Sequence, residues 1–199
     1  MMEILEFKKL DNNKVSRREL ILKEATRMFR NKGYTSSSVR DLAQEVGIEA
    51  PSIYSHFKSK EHILKHICFE MGAAFITGLE RAEILLKPEE KLRKAIKEHI
   101  QVVLLHREAS IVMWNEWRHL TDPAFEQFQS MVHDYEIRFK TIIDEGIEKG
   151  TFKKQDPEVV TNLILTSLNS LGCWYKKGLP SVDDVENELT EIYFKGILN

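Results

Sequence analysis

The chain has 199 residues, 42% apolar and 30% charged, an ordinary composition for a globular protein of one or two domains with a sizeable core. No apolar run approaches the ~18 residues that a membrane span needs, and Cys68 and Cys173 lie far apart in apolar helical patterns, which excludes a disulfide framework and reads as two free thiols. The net charge of −2 hides an asymmetry: residues 1–60 hold 12 Lys and Arg against 8 Asp and Glu, and the rest 17 against 23, a basic head on an acidic body that suits docking on a polyanion but also arises without function.

Residues 1–14 have no clear cap and read as a loose arm, with at most a turn around Ile4, Leu5 and Phe7. No signal peptide is expected from MMEILEFKKL, so the chain reads as cytoplasmic. Ser16 and Glu19 form a capping box for a first helix that runs to Asn31 or Lys32 and stops at Gly33. Ser38 and Asp41 form a second box. The hydroxyls of Ser36, Ser37 and Ser38 and the helix N-terminus behind them serve capping and phosphate binding equally well. Val39, Leu42, Ala43 and Val46 make one apolar face, and Gly47 closes that helix.

Ala50 and Pro51 open a helix of about two turns. Its Ile53 and Phe57 face inward; Pro51, Ser52, Tyr54 and Ser55 face out. Glu49 stands where it would cap this helix. Two short helices around a Gly turn make a helix-turn-helix, which offers its second helix to the DNA major groove.

Ser59 caps a long helix from Lys60 to about Leu85. Lys87-Pro88-Glu89-Glu90 starts the next, which carries Leu92, His99 and His106 on one periodic face to about Arg107. An aromatic helix, ASIVMWNEWRHL, spans Ala109 to Leu120. Thr121-Asp122-Pro123 breaks the pattern, with Thr or Asp as cap, before a helix from Ala124 to Lys149. Asp156 caps a helix to about Lys177, ended by Lys177-Gly178, and Ser181 with Asp184 opens the last, to about Gly196. No segment alternates like a strand. The fold class is therefore all-α, about nine helices, three in front and six behind.

The run GYTSSSVRDLAQEVGIEAPSIYSHFKSKEHIL, Gly33 to Leu64, resembles the DNA-binding domain of the TetR family of bacterial transcriptional regulators. The specific parts are Gly33-Tyr34, Val39-Arg40-Asp41-Leu42-Ala43, Gly47 and Ile53-Tyr54-Ser55-His56-Phe57 with Lys58-Ser59-Lys60-Glu61; Glu49 departs from the small polar cap that is usual there. The resemblance implies a DNA-binding domain over residues 1–60 and a regulatory, dimerising domain over 61–199. It puts Tyr54, His56 and Lys60 on the phosphate backbone and Ala50, Pro51, Ser52 and Ser55 at base edges. Ser37 and Arg40 complete the candidate DNA contacts. A packed Tyr54–His56 pair is the competing reading.

In the regulatory half, Phe75, His99, His106, Met113, Trp114, Trp117, Phe128, Met131 and Tyr135 are candidate lining for an apolar ligand pocket; plain core is the alternative at each position. A looser resemblance of NEWRHLTDPAFEQFQ and LNSLGCWYKKG to repressors that respond to fatty acyl-coenzyme A implies an acyl tunnel, with Arg107, Arg118 or Arg138 near the coenzyme phosphates. Leu163, Ser167, Leu171 and Trp174, with Val185, Leu189 and Ile192, form two apolar stripes on the last two helices. They fit a homodimeric four-helix interface. Such a dimer would read a palindromic operator in double-stranded DNA.

His62 with His66, and His99 with His106, share helix faces, but metal sites take three or four ligands and none is assigned. No Gly-rich phosphate loop, nucleophile elbow or catalytic grouping is present, so no enzyme and no cofactor is expected. The expectation is a repressor released from its operator by a small apolar ligand. The alternative is a small-molecule or metal-sensing protein with a vestigial head.

Overall fold

A computed structural model describes residues 16–176 and 180–198. The N-terminal arm and the Lys177-Gly178 helix stop lie outside them. Nine α-helices are found among the described residues: α1 (Arg17–Lys32), α2 (Val39–Val46), α3 (Ala50–Tyr54), α4 (Lys60–Glu83), α5 (Pro88–Leu105), α6 (Arg107–Glu116), α7 (Ala124–Glu148), α8 (Pro157–Trp174) and α9 (Val182–Ile197), with a 3-10 turn at Trp117–His119 after α6. The only extended pairing among them is an isolated bridge between Phe152 and Leu198.

The caps follow the sequence. Ser16, Ser38 and Ser181 each accept a hydrogen bond from the backbone N–H of the third helical residue, whose carboxylate in turn accepts one from the serine's backbone N–H, and Asp156 caps α8 by accepting from Glu158 N–H and Val159 N–H. Each box satisfies helix-end donors that would otherwise lack partners. Gly47, at φ +73°, takes the left-handed conformation that turns α2 toward α3.

Four boundaries differ from expectation. Helix α3 has five residues rather than two turns, and Ser55–Phe57 finish it as a turn held by His56 N–H and Phe57 N–H to the Ile53 carbonyl. Glu49 precedes it without capping through its side chain. The break expected between Arg107 and Ala109 falls at His106 (φ −115°, ψ 40°) instead. Neither Thr121 nor Asp122 caps α7, which begins after Pro123.

Helices α1 to α3 enclose Ile21, Ala25, Phe29, Leu42, Ile53 and Phe57, and this cluster continues through Ile63 and Leu64 of α4 into the rear core. Behind, α4 packs on α5, α6 and α7, while α5 and α7 both meet α8 and α9 covers α5. Burying a large apolar side chain stabilises by about 1.5–3 kcal/mol, so this continuous core ties head to body without a flexible linker. Helix α1 also rests on α6, which brings the head against the aromatic part of the regulatory half.

Candidate DNA-binding head and ligand cavity

The outer side of the head carries the expected residues. Pro51, Ser52, Tyr54, Ser55 and Arg40 are exposed, Ala50 and His56 half-buried, and Ile53 and Phe57 buried beneath them. Tyr54 is 54% exposed, which fits a contact residue and not a packed aromatic pair with His56. Ser55 folds its hydroxyl back on the Ser52 carbonyl at 2.8 Å.

Two candidate contacts are committed elsewhere. Ser37 is buried and donates its hydroxyl to the Gly33 carbonyl at 2.7 Å. The Lys60 ammonium donates to the carbonyls of Tyr34 and Ser37, each at 2.8 Å, and lies 4.2 Å from the centre of the Tyr34 ring. Burial lowers its pKa, against the opposing pull of Glu116. Both residues thus hold the α1–α2 corner. Their sequence pattern carries no sign of this, because the acceptors are backbone atoms of a turn.

The histidine pairs are also occupied. His62 Nδ1 accepts the Lys58 N–H, and His66 lies 3.4 Å from the Arg18 guanidinium. Burial, then the charges of Arg18 and His62, push His66 down to about 4. No group of three or more metal-ligating side chains is found among the described residues.

The regulatory half holds a cavity of about 30 Å³ between α4, α5, α6, α7 and α8, room for a water molecule or two. Phe75, His99, Met113, Trp114, Phe128, Met131 and Tyr135 line it as expected. Gly72, Val132, Glu136, Leu165 and Asn169 join them. His106 sits in the α5–α6 break instead, and Trp117 lies one layer out, stacked on Phe125 at 5.4 Å. Outside the cavity is a basin of about 550 Å³ between α6, the 3-10 turn and α7, lined by Trp117, Arg118, Gln129 and His133 among others. Trp114, Val132 and Glu136 belong to both walls.

A polar relay crosses the cavity. His99 Nδ1 lies 2.8 Å from Tyr135 Oη and Nε2 lies 2.8 Å from Asn169 Oδ1. An amide oxygen only accepts, so Nε2 carries the proton and Tyr135 donates to Nδ1. Burial pushes His99 down to about 4, with the Asn169 bond opposing, and pushes the Tyr135 phenol up. The imidazole is neutral at physiological pH. Desolvation likewise raises the Glu136 carboxyl, with His133 opposing and Glu158 reinforcing.

Of the three arginines expected near a coenzyme, Arg107 donates Nε–H to the Gly172 carbonyl at 2.7 Å and Arg138 pairs with Glu83. Arg118 alone lines the basin, over the Trp117 ring.

On α8 and α9, Leu163, Trp174 and Ile192 are exposed at 66%, 47% and 60%, and Val159, not singled out from sequence, adds to them at 64%. Leu171 and Val185 point into the protomer core instead, Leu189 is half-buried, and Ser167 bonds to Tyr193.

Residues 21–67 match the family model "Bacterial regulatory proteins, tetR family", and residues 85–197 match "Tetracyclin repressor-like, C-terminal domain". Among curated proteins, the chain is 29% identical over 187 residues to the HTH-type transcriptional repressor KstR2 of Mycolicibacterium smegmatis, covering 92% of this chain and 91% of that one. It is 26% identical over 184 residues to the fatty acid metabolism regulator protein of Bacillus subtilis, covering 90% and 94%. The structure of the ketosteroid transcriptional regulator KstR2 of Mycobacterium tuberculosis superposes with a TM-score of 0.88 at 23% identity, over 96% of this chain and all of the other. With helix-turn-helix, regulatory half and family models in register over most of its length, the chain belongs to the TetR family of DNA-binding transcriptional regulators.

Proposed function

We propose that the protein is a cytoplasmic, homodimeric repressor that leaves a palindromic operator when an apolar, acyl-bearing ligand such as a fatty acyl-coenzyme A enters the cavity. The observation that carries this reading is the short path from cavity to head. Phe128 lines the cavity and lies 5.7 Å, ring to ring, from Trp117, the first residue of the 3-10 turn. His119, the last residue of that turn, stacks on Tyr34 at 5.3 Å, and Tyr34 holds Lys60. Displacing the Trp117 layer therefore moves the turn on which the head rests.

In this reading residues 1–60 form the DNA-binding domain and 61–199 the regulatory domain, with α4 shared between them. Tyr54, His56, Arg40, Ala50, Pro51, Ser52 and Ser55 meet DNA, while Ser37 and Lys60 hold the corner that presents them. Leu163, Trp174, Ile192 and Val159 meet their counterparts in a second copy, since exposed apolar side chains clustered on two helices fit a two-fold four-helix contact. The pairing sets two recognition helices one groove repeat apart. The names of the relatives above support the repressor and fatty-acid parts of the proposal. The ligand need only favour the released shape by a few kcal/mol.

A gel-shift titration of the protein on the DNA upstream of its own gene tests this. Specific, salt-sensitive binding that decanoyl-coenzyme A releases is the expected result. Binding no tighter than to unrelated DNA would overturn it.

A further inference from the structure

The cavity wall is unequal in its polar groups. The Trp114 Nε1–H is buried and has no acceptor among the described residues. The Asn169 oxygen accepts from His99 Nε2, and the Trp114 N–H makes no bond to it. No lysine or arginine lines the inner cavity, and the Glu136 carboxylate lies in the wall shared with the basin, as Trp114 does. A buried donor without an acceptor is costly, and a site that leaves one open favours a ligand that supplies the acceptor.

We infer that Trp114 is a specificity residue whose indole N–H receives a neutral carbonyl of the ligand, so that the protein takes thioesters, esters or ketones on an apolar body and rejects the corresponding free carboxylic acids. A carbonyl offers an oxygen lone pair without a charge. A carboxylate offers the same lone pairs, but it must be desolvated beside Glu136, and no lysine or arginine lines the inner cavity to balance it. The apolar body occupies the inner cavity, where the unbranched Met113 and Met131 side chains yield to it. The carbonyl stops at Trp114, and whatever the carbonyl carries beyond it lies in the basin near Arg118 and His133. This inference rests on the cavity being the sensing site.

The test uses four probes on the full chain by titration calorimetry: decanoyl-coenzyme A, its carbonyl-free thioether S-decyl-coenzyme A, 2-undecanone and decanoate. The native protein is expected to bind decanoyl-coenzyme A about tenfold tighter than the thioether, and decanoate at least about tenfold more weakly than 2-undecanone. Trp114→Phe keeps the ring and removes the donor, and should erase the difference between the two coenzyme probes. Glu136→Gln should narrow the gap between decanoate and 2-undecanone. Equal binding of thioester and thioether to the native protein, or a difference that survives in Trp114→Phe, overturns the assignment while leaving the cavity as the sensing site. Decanoate binding as tightly as 2-undecanone overturns the exclusion of acids. Failure of both coenzyme probes and of 2-undecanone to bind removes the sensing-site reading and the inference together.

Discussion

Glu61 accepts two hydrogen bonds from Thr121, one from the backbone N–H at 2.8 Å and one from the hydroxyl at 2.6 Å. Glu61 lies in the first turn of α4, directly after the recognition element, and Thr121 lies between the 3-10 turn and α7. This latch joins the head to the segment that borders the basin. Glu61→Ala is expected to leave operator affinity within about threefold while weakening ligand-driven release about tenfold, as losing one linking contact of 1–2 kcal/mol would do. Gel shifts with and without decanoyl-coenzyme A measure both. Unchanged release would show that the latch transmits nothing. The Thr121 bonds hold the Glu61 carboxyl below the usual range, so its stabilising part is present above pH 4.5 and lost as pH falls through the folded-state value.

His99 gives a second pH dependence. Its folded pKa, near 4, is depressed from 6.5, so the unfolded chain binds the proton more readily between those values. Stability is complete above about pH 6.5 and falls as pH drops toward 4; His66 contributes in the same direction. His99→Phe should lower the melting temperature at pH 7, because Tyr135 and Asn169 lose their partner at about 1–3 kcal/mol. The same variant should flatten the decline between pH 6.5 and 4. Calorimetry at pH 7 and pH 5 provides the comparison, and an unaltered slope would remove His99 from the account.

Arg40 and Lys60 separate by salt dependence. Arg40 is exposed and is proposed to meet a phosphate, so Arg40→Gln should reduce the slope of log K against log salt by about one. Lys60→Met removes two carbonyl contacts at the α1–α2 corner. It should lower the melting temperature and weaken operator binding with the slope unchanged. A slope reduced by Lys60→Met would return that ammonium to the phosphate backbone.

Gly146 sits under Phe152. A Cβ built there would come 2.1 Å from the Phe152 ring, and the Gly146 carbonyl accepts from Thr151 N–H and Phe152 N–H. Gly146→Ala must push a buried ring aside, so a loss of about 1–3 kcal/mol is expected in denaturant unfolding. Gly196, with nothing within 4 Å of such a Cβ, is the control.

Leu163 and Ile192 test assembly. Each is exposed in the protomer, so Leu163→Glu or Ile192→Lys should leave its fold intact and shift the protein to monomer in sedimentation, with loss of operator binding. A native protein that sediments as a monomer at operator-binding concentrations would refute the dimer.

Much of the helix punctuation is legible because its signals are local. Ser16 and Ser38 in the head and Ser181 in the regulatory half each form the capping box that their spacing announces, and Gly47 closes α2. What was not legible depended on tertiary placement. The bonds of Lys60 and Ser37 to backbone carbonyls are not legible, because nothing in the sequence reveals which carbonyls meet at the corner. The α5–α6 break is legible to within two or three residues, since it falls at His106 and not between Arg107 and Ala109. Asn169 and Glu136 are not legible as lining, because a polar residue on a helix usually faces water. Their one signal was four-residue spacing behind apolar Leu165 and Val132, which puts them on the same inward face.

The smallness of the inner cavity turns recognition into a matter of length. A space of about 30 Å³ admits no chain until its walls part, and that expense is the same for a short guest as for a long one. Each further methylene taken out of water returns about 0.8 kcal/mol, close to fourfold in affinity. Affinity therefore rises by a similar factor with each carbon, and short guests bind weakly because the opening cost is barely offset. If this cavity is the sensing site, an acyl-length series in titration calorimetry should show affinity climbing steadily with each added carbon.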